Sequence, residues 1–201
     1  MKKRLYLIRH GQIDSNVTGA LDTAVPGPPL NATGHTQAQA LVDTFATTQL
    51  DTLYSSTAIR TQMTAAPLAA SKGLTLNVHH GLREISAGTL EMSIRTQDHL
   101  AYVSVVTQWI SGDLDVRLAN GTTGREVLER FDAVLTEIDA TGSEHTAITA
   151  HGALITFWCA VRMGNLTKEV LTGNPIPNTG VAVLEPVKKS WVGLSWMGIP
   201  L

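Results

Sequence analysis

Apolar positions in this chain fall into short continuous runs that alternate with stripes at helical spacing. Leu5–Ile8 is a four-residue apolar run that ends in Arg9-His10-Gly11 and predicts a buried first strand. Thr52–Ser56, Leu74–Val78 and Thr146–Ala150 predict three more strands. Gly180–Leu184 and Ser190–Trp196 predict a final hairpin. Between them, Ala38, Leu41, Val42 and Phe45 share one face of a helix that Asn31 or Thr33 can cap. A second helix begins at Thr57 and runs towards Gly73, with Pro67 predicting a kink or break. Met92–Ile110 predicts a third, and Arg125–Ala140 a fourth, whose Val127, Phe131, Val134, Leu135 and Ile138 form the clearest apolar stripe. Gly152–Arg162 is helical, followed by a short turn at Thr167–Leu171. Pro and Gly keep Gln12–Leu30 out of regular structure, and a loop that long more often covers a site than links two elements. Strands alternating with helices predict an α/β fold, a three-layer α/β/α sandwich around a mostly parallel sheet. The length predicts one domain over residues 1–201, with a lid or insertion at about 86–121.

Composition narrows the function classes. A net charge of −2 gives no basic excess for nucleic acid. The basic clusters Met1–Arg4 and Lys188–Lys189 read as solvated ends. The single cysteine, Cys159, excludes an internal disulfide and a Cys-rich zinc site, and its apolar helical context predicts a buried, inert thiol. Leu5–Ile8 is too short for a signal-peptide core, and no run reaches membrane-spanning length. A cytoplasmic location follows by default, with no membrane partner.

The candidate chemistry sits at strand ends. A strand that stops in a cation, an imidazole and a glycine places reactive groups where open α/β sheets keep their ligands. Arg9 suits an anion such as phosphate, held bidentately, while the His10 ring does chemistry. His-Gly occurs at His10, His80 and His151, against about 0.6 pairs expected by chance. His80-Gly81 reads as a turn. His151-Gly152, like His10-Gly11, closes a strand, so two imidazoles are expected to face one ligand.

Taken together, the motifs resemble those of the histidine phosphatase superfamily, the phosphoglycerate-mutase-like group. Ile8-Arg-His-Gly-Gln12, with Asn16 beyond it, is similar to the family's Arg-His-Gly-Glu signature. Leu30–Gln39, Tyr54–Ala65, Leu82–Glu91, Gly121–Glu126, Ile148–Gly152 and Asn178–Val181 resemble further family segments, in family order and over nearly the whole chain. The resemblance implies that His10 is the nucleophile and forms a phosphohistidine. Arg9 and Arg60 would clamp phosphate oxygens, His151 would hydrogen-bond the same group, and Asn16 and Gly152 would help bind it. Glu84 would protonate the leaving oxygen and then activate water, with Glu91 as its rival. Glu126 is expected to serve its helix dipole, and His35, His79, His99 and His145 are expected to be structural or solvated. No metal and no cofactor are implied.

Four positions depart from the pattern. Gln12 replaces a Glu, which should ease anion binding; Ile13 replaces a Thr; Met92 replaces a Gly; and Thr89-Leu90 lacks a common Trp. The leading expectation is a phosphomonoester phosphatase acting on a small phosphorylated metabolite, with a phosphoprotein as the other substrate class. A phosphoglycerate mutase is the alternative, disfavoured because residues 84–121 hold just Arg95 and Arg117 as cations. A phospho-ligand binding protein without turnover is the third reading. Exposed Trp-rich C-terminal strands could also pair two copies into a homo-oligomer.

Overall fold

A computed structural model describes residues 3–188 and 190–201. Met1, Lys2 and Lys189, which belong to the two basic clusters, lie outside the described residues. Among the described residues the chain forms seven helices and one seven-stranded sheet. The strands are β1 (Arg4–Arg9), β2 (Thr52–Ser56), β3 (Leu76–His79), β4 (His145–Ala150), β5 (Val181–Val187), β6 (Ser190–Trp196) and β7 (Ile199–Pro200). Their order is β3-β2-β4-β1-β5-β6-β7. The first four are parallel, and β5, β6 and β7 extend the sheet as an antiparallel meander beside β1.

The helices are α1 (Asp14–Thr18), α2 (Ala32–Thr44), α3 (Ile59–Lys72), α4 (Thr96–Ile110), α5 (Gly124–Ala140), α6 (Gly152–Arg162) and α7 (Lys168–Gly173). Alternation along the central strands makes two cores. Ile8 and Ala147 point to one face, where α2 and α3 supply Leu41, Phe45, Ala65 and Leu68. Leu7 and Ile148 point to the other, against Trp109, Phe131, Phe157 and Trp158 of α4–α6. Each fully buried side chain of this size contributes roughly 1.5–3 kcal/mol. β4 is buried along its whole length, as a central parallel strand must be.

Several expectations change. The 12–30 stretch is not wholly irregular: Asp14–Thr18 is helical, started by Asn16 Oδ1 accepting the Ile13 N–H at 3.2 Å and ended by Gly19 at φ 75°. A five-residue helix lacks the periodicity that would announce it. The third predicted helix starts at Thr96 rather than Met92, because Leu21 and residues 92–93 exchange backbone hydrogen bonds. Met92 itself takes φ 61°, the left-handed conformation that favours glycine. α3 runs through Pro67 without a break. The C-terminal tryptophans are not an exposed surface. Trp196 is fully buried and donates to the Asn174 carbonyl at 2.8 Å, and Trp191 packs edge-on to Trp158. Among the described residues, no helix is long and apolar enough to cross a membrane.

One close contact fixes the loop after β1. The Gly34 backbone in the first turn of α2 lies against Gln12, and a Cβ there would sit 2.1 Å from the Gln12 carbonyl oxygen. Gly34→Ala is therefore expected to cost about 1–3 kcal/mol in urea denaturation. Gly164→Ala, whose Cβ meets open space, should change stability by less than about 0.5 kcal/mol.

Candidate active site

Strand register builds the site. β1 and β4 are adjacent and parallel, with Arg9 opposite Ala150. The next residue on each strand, His10 and His151, therefore leaves the sheet at the same height. Their rings meet edge to face with centroids 5.4 Å apart. β2 lies on the other side of β4, and α3 begins just beyond it, which carries Arg60 to the same end of the sheet. Arg9, His10, Asn16, Arg60, Glu84 and Gly152 all line one cleft of about 590 Å³. His151 lies beneath them, fully buried. A second cavity of about 460 Å³, beside Asp132 and Trp191, holds none of these residues.

Hydrogen bonds assign the two imidazole tautomers. His10 Nδ1 is 2.7 Å from the Gly11 carbonyl, which can only accept, so Nδ1 carries the proton and Nε2 keeps its lone pair. Ser56 Oγ accepts the Ala58 N–H at 3.1 Å, and among the described residues the one acceptor within reach of its own proton is His151 Nε2 at 2.8 Å. That leaves the His151 ring proton on Nδ1, which has no partner in the protein. Burial first, and then the nearby Arg60, push the His10 pKa down to about 3 and His151 well below its ordinary value. Both rings are neutral at pH 7, and His10 presents a free lone pair.

The guanidiniums are held from one side only. Arg9 donates through Nη1 to the Ile176 carbonyl at 2.7 Å, while its Nε has no partner. Arg60 is 1% exposed and donates through Nη2 to the Asp22 carbonyl at 3.2 Å. The Asp22 carboxylate is 3.8 Å from its Nη1, beyond hydrogen-bond reach, so Nε and Nη1 remain unpartnered. Buried polar hydrogens without partners are rare in folded proteins. Of the eight buried polar side-chain atoms without a partner among the described residues, four, Arg9 Nε, Arg60 Nε, Arg60 Nη1 and His151 Nδ1, are grouped around His10, and their common complement is an oxyanion.

Glu84 sits at the start of α6. Its carboxylate accepts the N–H groups of Ile85 at 2.8 Å, Leu154 at 2.9 Å and Ala153 at 3.1 Å. Burial raises its pKa, opposed by those N–H groups and by the charge of Arg60. Arg130 Nη2 donates to the Glu84 carbonyl at 3.2 Å and so fixes its backbone. Glu91, the rival carboxylate, does not line the cleft. It clasps the loop over the cleft, accepting the Thr23 N–H at 2.7 Å and the Ala24 N–H at 2.9 Å. Glu126 completes a capping box with Thr123 at the start of α5.

Asn16 is oriented by a residue whose role no single-position signal announced. Asn178 Nδ2 donates to Asn16 Oδ1 at 3.0 Å and to the His10 carbonyl at 2.9 Å. With Oδ1 occupied by Asn178 and Ile13, the amide NH₂ of Asn16 is the end left for a ligand. Gln12 does not reach the cleft. Its Oε1 accepts from Asn31 Nδ2 at 3.1 Å beside the α2 cap, so the Glu-to-Gln change does not act on the anion site through a direct contact. Gly152 gives Arg9 room, since a Cβ there would lie 3.1 Å from Arg9 Nε. Gly27, at φ 67°, does the same for Arg60: a Cβ would stand 2.3 Å from Nη1. Asp22, Gly27, Arg130 and Asn178 are thus supporting residues that sequence reading left without a role.

Comparison with known proteins identifies the family. The family model described as histidine phosphatase superfamily (branch 1) matches residues 5–197. The PE-PGRS family protein PE_PGRS11 of Mycobacterium tuberculosis is 33% identical over 211 residues, covering 96% of this chain but 36% of that protein. The chain thus spans about a third of the length of that relative. Phosphoserine phosphatase 1 of Hydrogenobacter thermophilus is 26% identical over 135 residues, covering 67% of this chain and 64% of that protein. Among solved structures, a mycobacterial glucosyl-3-phosphoglycerate phosphatase complexed with VO3 superposes with a TM-score of 0.79 at 23% identity, covering 96% of this chain and 98% of that one.

Two outcomes follow from the electrostatics. A buried imidazole with a lowered pKa binds fewer protons than its unfolded counterpart below pH 6.5, so stability falls as pH falls. His10 should forfeit about 2 kcal/mol between pH 6.5 and pH 5, and the loss of melting temperature over that range should shrink in His10→Gln. Gly27→Ala should displace Arg60 and weaken orthophosphate binding in calorimetry by at least about tenfold, the loss of one charge-assisted contact.

Proposed function

The chain belongs to the histidine phosphatase superfamily, branch 1, and on that premise we propose that it hydrolyses small phosphomonoesters through a phosphohistidine on His10. The observation that carries the reading is the group of unpartnered Arg9, Arg60 and His151 N–H donors around the His10 lone pair. His10 Nε2 attacks phosphorus as the bond to the leaving oxygen breaks. Arg9, Arg60, His151 and Asn16 hold the three non-bridging oxygens, whose charge they stabilise through the transition state. Glu84, protonated, gives its proton to the leaving oxygen. A water then attacks the phosphohistidine, Glu84 takes its proton, the P–N bond breaks, and phosphate and free His10 result.

The two guanidiniums supply the positive charge, so the proposal needs no metal. Its substrate is a small metabolite rather than a phosphoprotein, since the phosphate end lies inside a concave cleft. The buried free thiol of Cys159 suits a reducing compartment such as the cytoplasm. A phosphatase fits better than a mutase. Arg117 is engaged by Glu126 and the Gly121 carbonyl, Arg95 lies beside Asp98, and neither lines the cleft where a sugar acid's carboxylate would need a cation.

Steady-state hydrolysis tests the assignment. His10→Ala should abolish phosphate release from p-nitrophenyl phosphate, and EDTA should leave the wild-type rate unchanged. Glu84→Gln should lower kcat/KM, which reads the phosphoryl-transfer step alone, by roughly 10²–10⁴-fold on an alkyl phosphate, whose alkoxide needs a proton. The loss should be far smaller on p-nitrophenyl phosphate, whose phenolate leaves without one. Because the His10 pKa is lowered to about 3, kcat/KM should hold at pH 5, where an ordinary imidazole would be protonated. It should fall on the alkaline side as Glu84 loses its proton. Equal losses on both substrates would remove Glu84 from the role of acid.

A further inference from the structure

The cleft has two chemically different ends. Its charged lining residues, Arg9, Arg60, Asp22 and Glu84, are all gathered at the His10 end. Away from it the lining is apolar: Val103, Val106 and Ile110 from α4, with Leu166 and Leu171. Thr107, Ser111 and Thr156 are the hydroxyls among them, and the wall holds no further cation among the described residues.

α4 explains this wall. One of its faces is committed to the core through Tyr102 and Trp109, which are 6% and 0% exposed. Val103, Val106 and Ile110 recur at helical spacing on a neighbouring face that turns into the cleft. Val106, at 9% exposure, also joins the core, but Val103 is 57% exposed and Ile110 36%, so the outer part of this face is left open. Apolar side chains left open in a concave site next to a polar anchor are the arrangement of a pocket for an amphiphilic ligand.

We propose that the alcohol portion of the substrate is an uncharged apolar chain or ring, seated against Val103, Ile110, Leu166 and Leu171 while its phosphate lies on His10. The inference rests on the phosphatase reading for the direction of the phosphate. It adds a substrate class: phosphomonoesters of apolar alcohols, against phosphates that carry a carboxylate or ammonium group. A leaving group with a carboxylate would meet no cation among the described residues of this wall and would desolvate its charge without compensation.

A homologous series tests this. Linear alkyl phosphates of two to eight carbons should show kcat/KM rising about threefold to fourfold per methylene, the factor equivalent to about 0.8 kcal/mol for a buried CH₂, until the cleft is filled. 3-Phosphoglycerate and phosphoserine should be poorer than alkyl phosphates of similar length. The matching alkylphosphonates, which cannot be hydrolysed, should bind in calorimetry with the same chain-length trend. Val103→Asp should flatten both trends below about twofold per methylene. Leu100→Asp, an exposed position on the same helix that does not line the cleft, should keep them, with both melting temperatures confirming folded protein. Turnover with no chain-length dependence, or with preference for the charged esters, overturns the apolar subsite and leaves the catalytic reading standing. Chain-dependent binding of phosphonates with no turnover of any ester supports the subsite and overturns the catalytic reading.

Discussion

The register between β1 and β4 is the constraint on which the rest depends. Parallel pairing of Arg9 with Ala150 sends two imidazoles out of the sheet side by side. A shift by one residue would point His10 or His151 to the opposite face, because successive strand residues alternate. The register is held by the two cores, since Leu7 and Ile148 serve one face and Ile8 and Ala147 the other. Core packing and catalytic geometry are therefore the same requirement: whatever keeps those four side chains buried also keeps the two rings in contact.

Once the rings are placed, burial does the chemical work. Desolvation keeps both imidazoles neutral, which a nucleophile requires, and it makes the guanidinium N–H groups strong partners for an anion. The cost is a cluster of buried donors without acceptors, tolerated because the surrounding structure fixes them. Asp22, Ile176 and the absent side chain of Gly27 leave Arg9 and Arg60 no other place to go. The same helix start that positions Gly152 supplies N–H groups to Glu84, so the acid is tied to the α6 terminus next to the second histidine.

Much of this was legible in the sequence. The two His-Gly strand ends carry their own context, and the apolar stripes located α2 and α5. Arg60 was legible through the family resemblance of Tyr54–Ala65. Other features had no local signal. α1 is one turn of helix in a stretch rich in glycine and proline, where hydrogen bonds of Asn16, not periodicity, decide the conformation. Glu84 and Glu91 are chemically alike, and only their partners separate an acid at a helix terminus from a clasp on a loop. Asn178 and Arg130 act through contacts more than 40 residues away in sequence. Gln12 invited an electrostatic reading, yet its side chain turns to Asn31. The burial of Trp196 reflects the Asn174 carbonyl it finds, which strand alternation alone does not reveal.

The most direct measurement is chemical trapping of the intermediate. Wild-type protein mixed with a ³²P-labelled aryl phosphate and quenched within milliseconds should carry one label per chain, stable to alkali, labile to acid and located on His10 by peptide mapping. Arg60→Ala should reduce the trapped fraction sharply. Release of phosphate at full rate with no label on His10, or a label on another residue, would contradict the account.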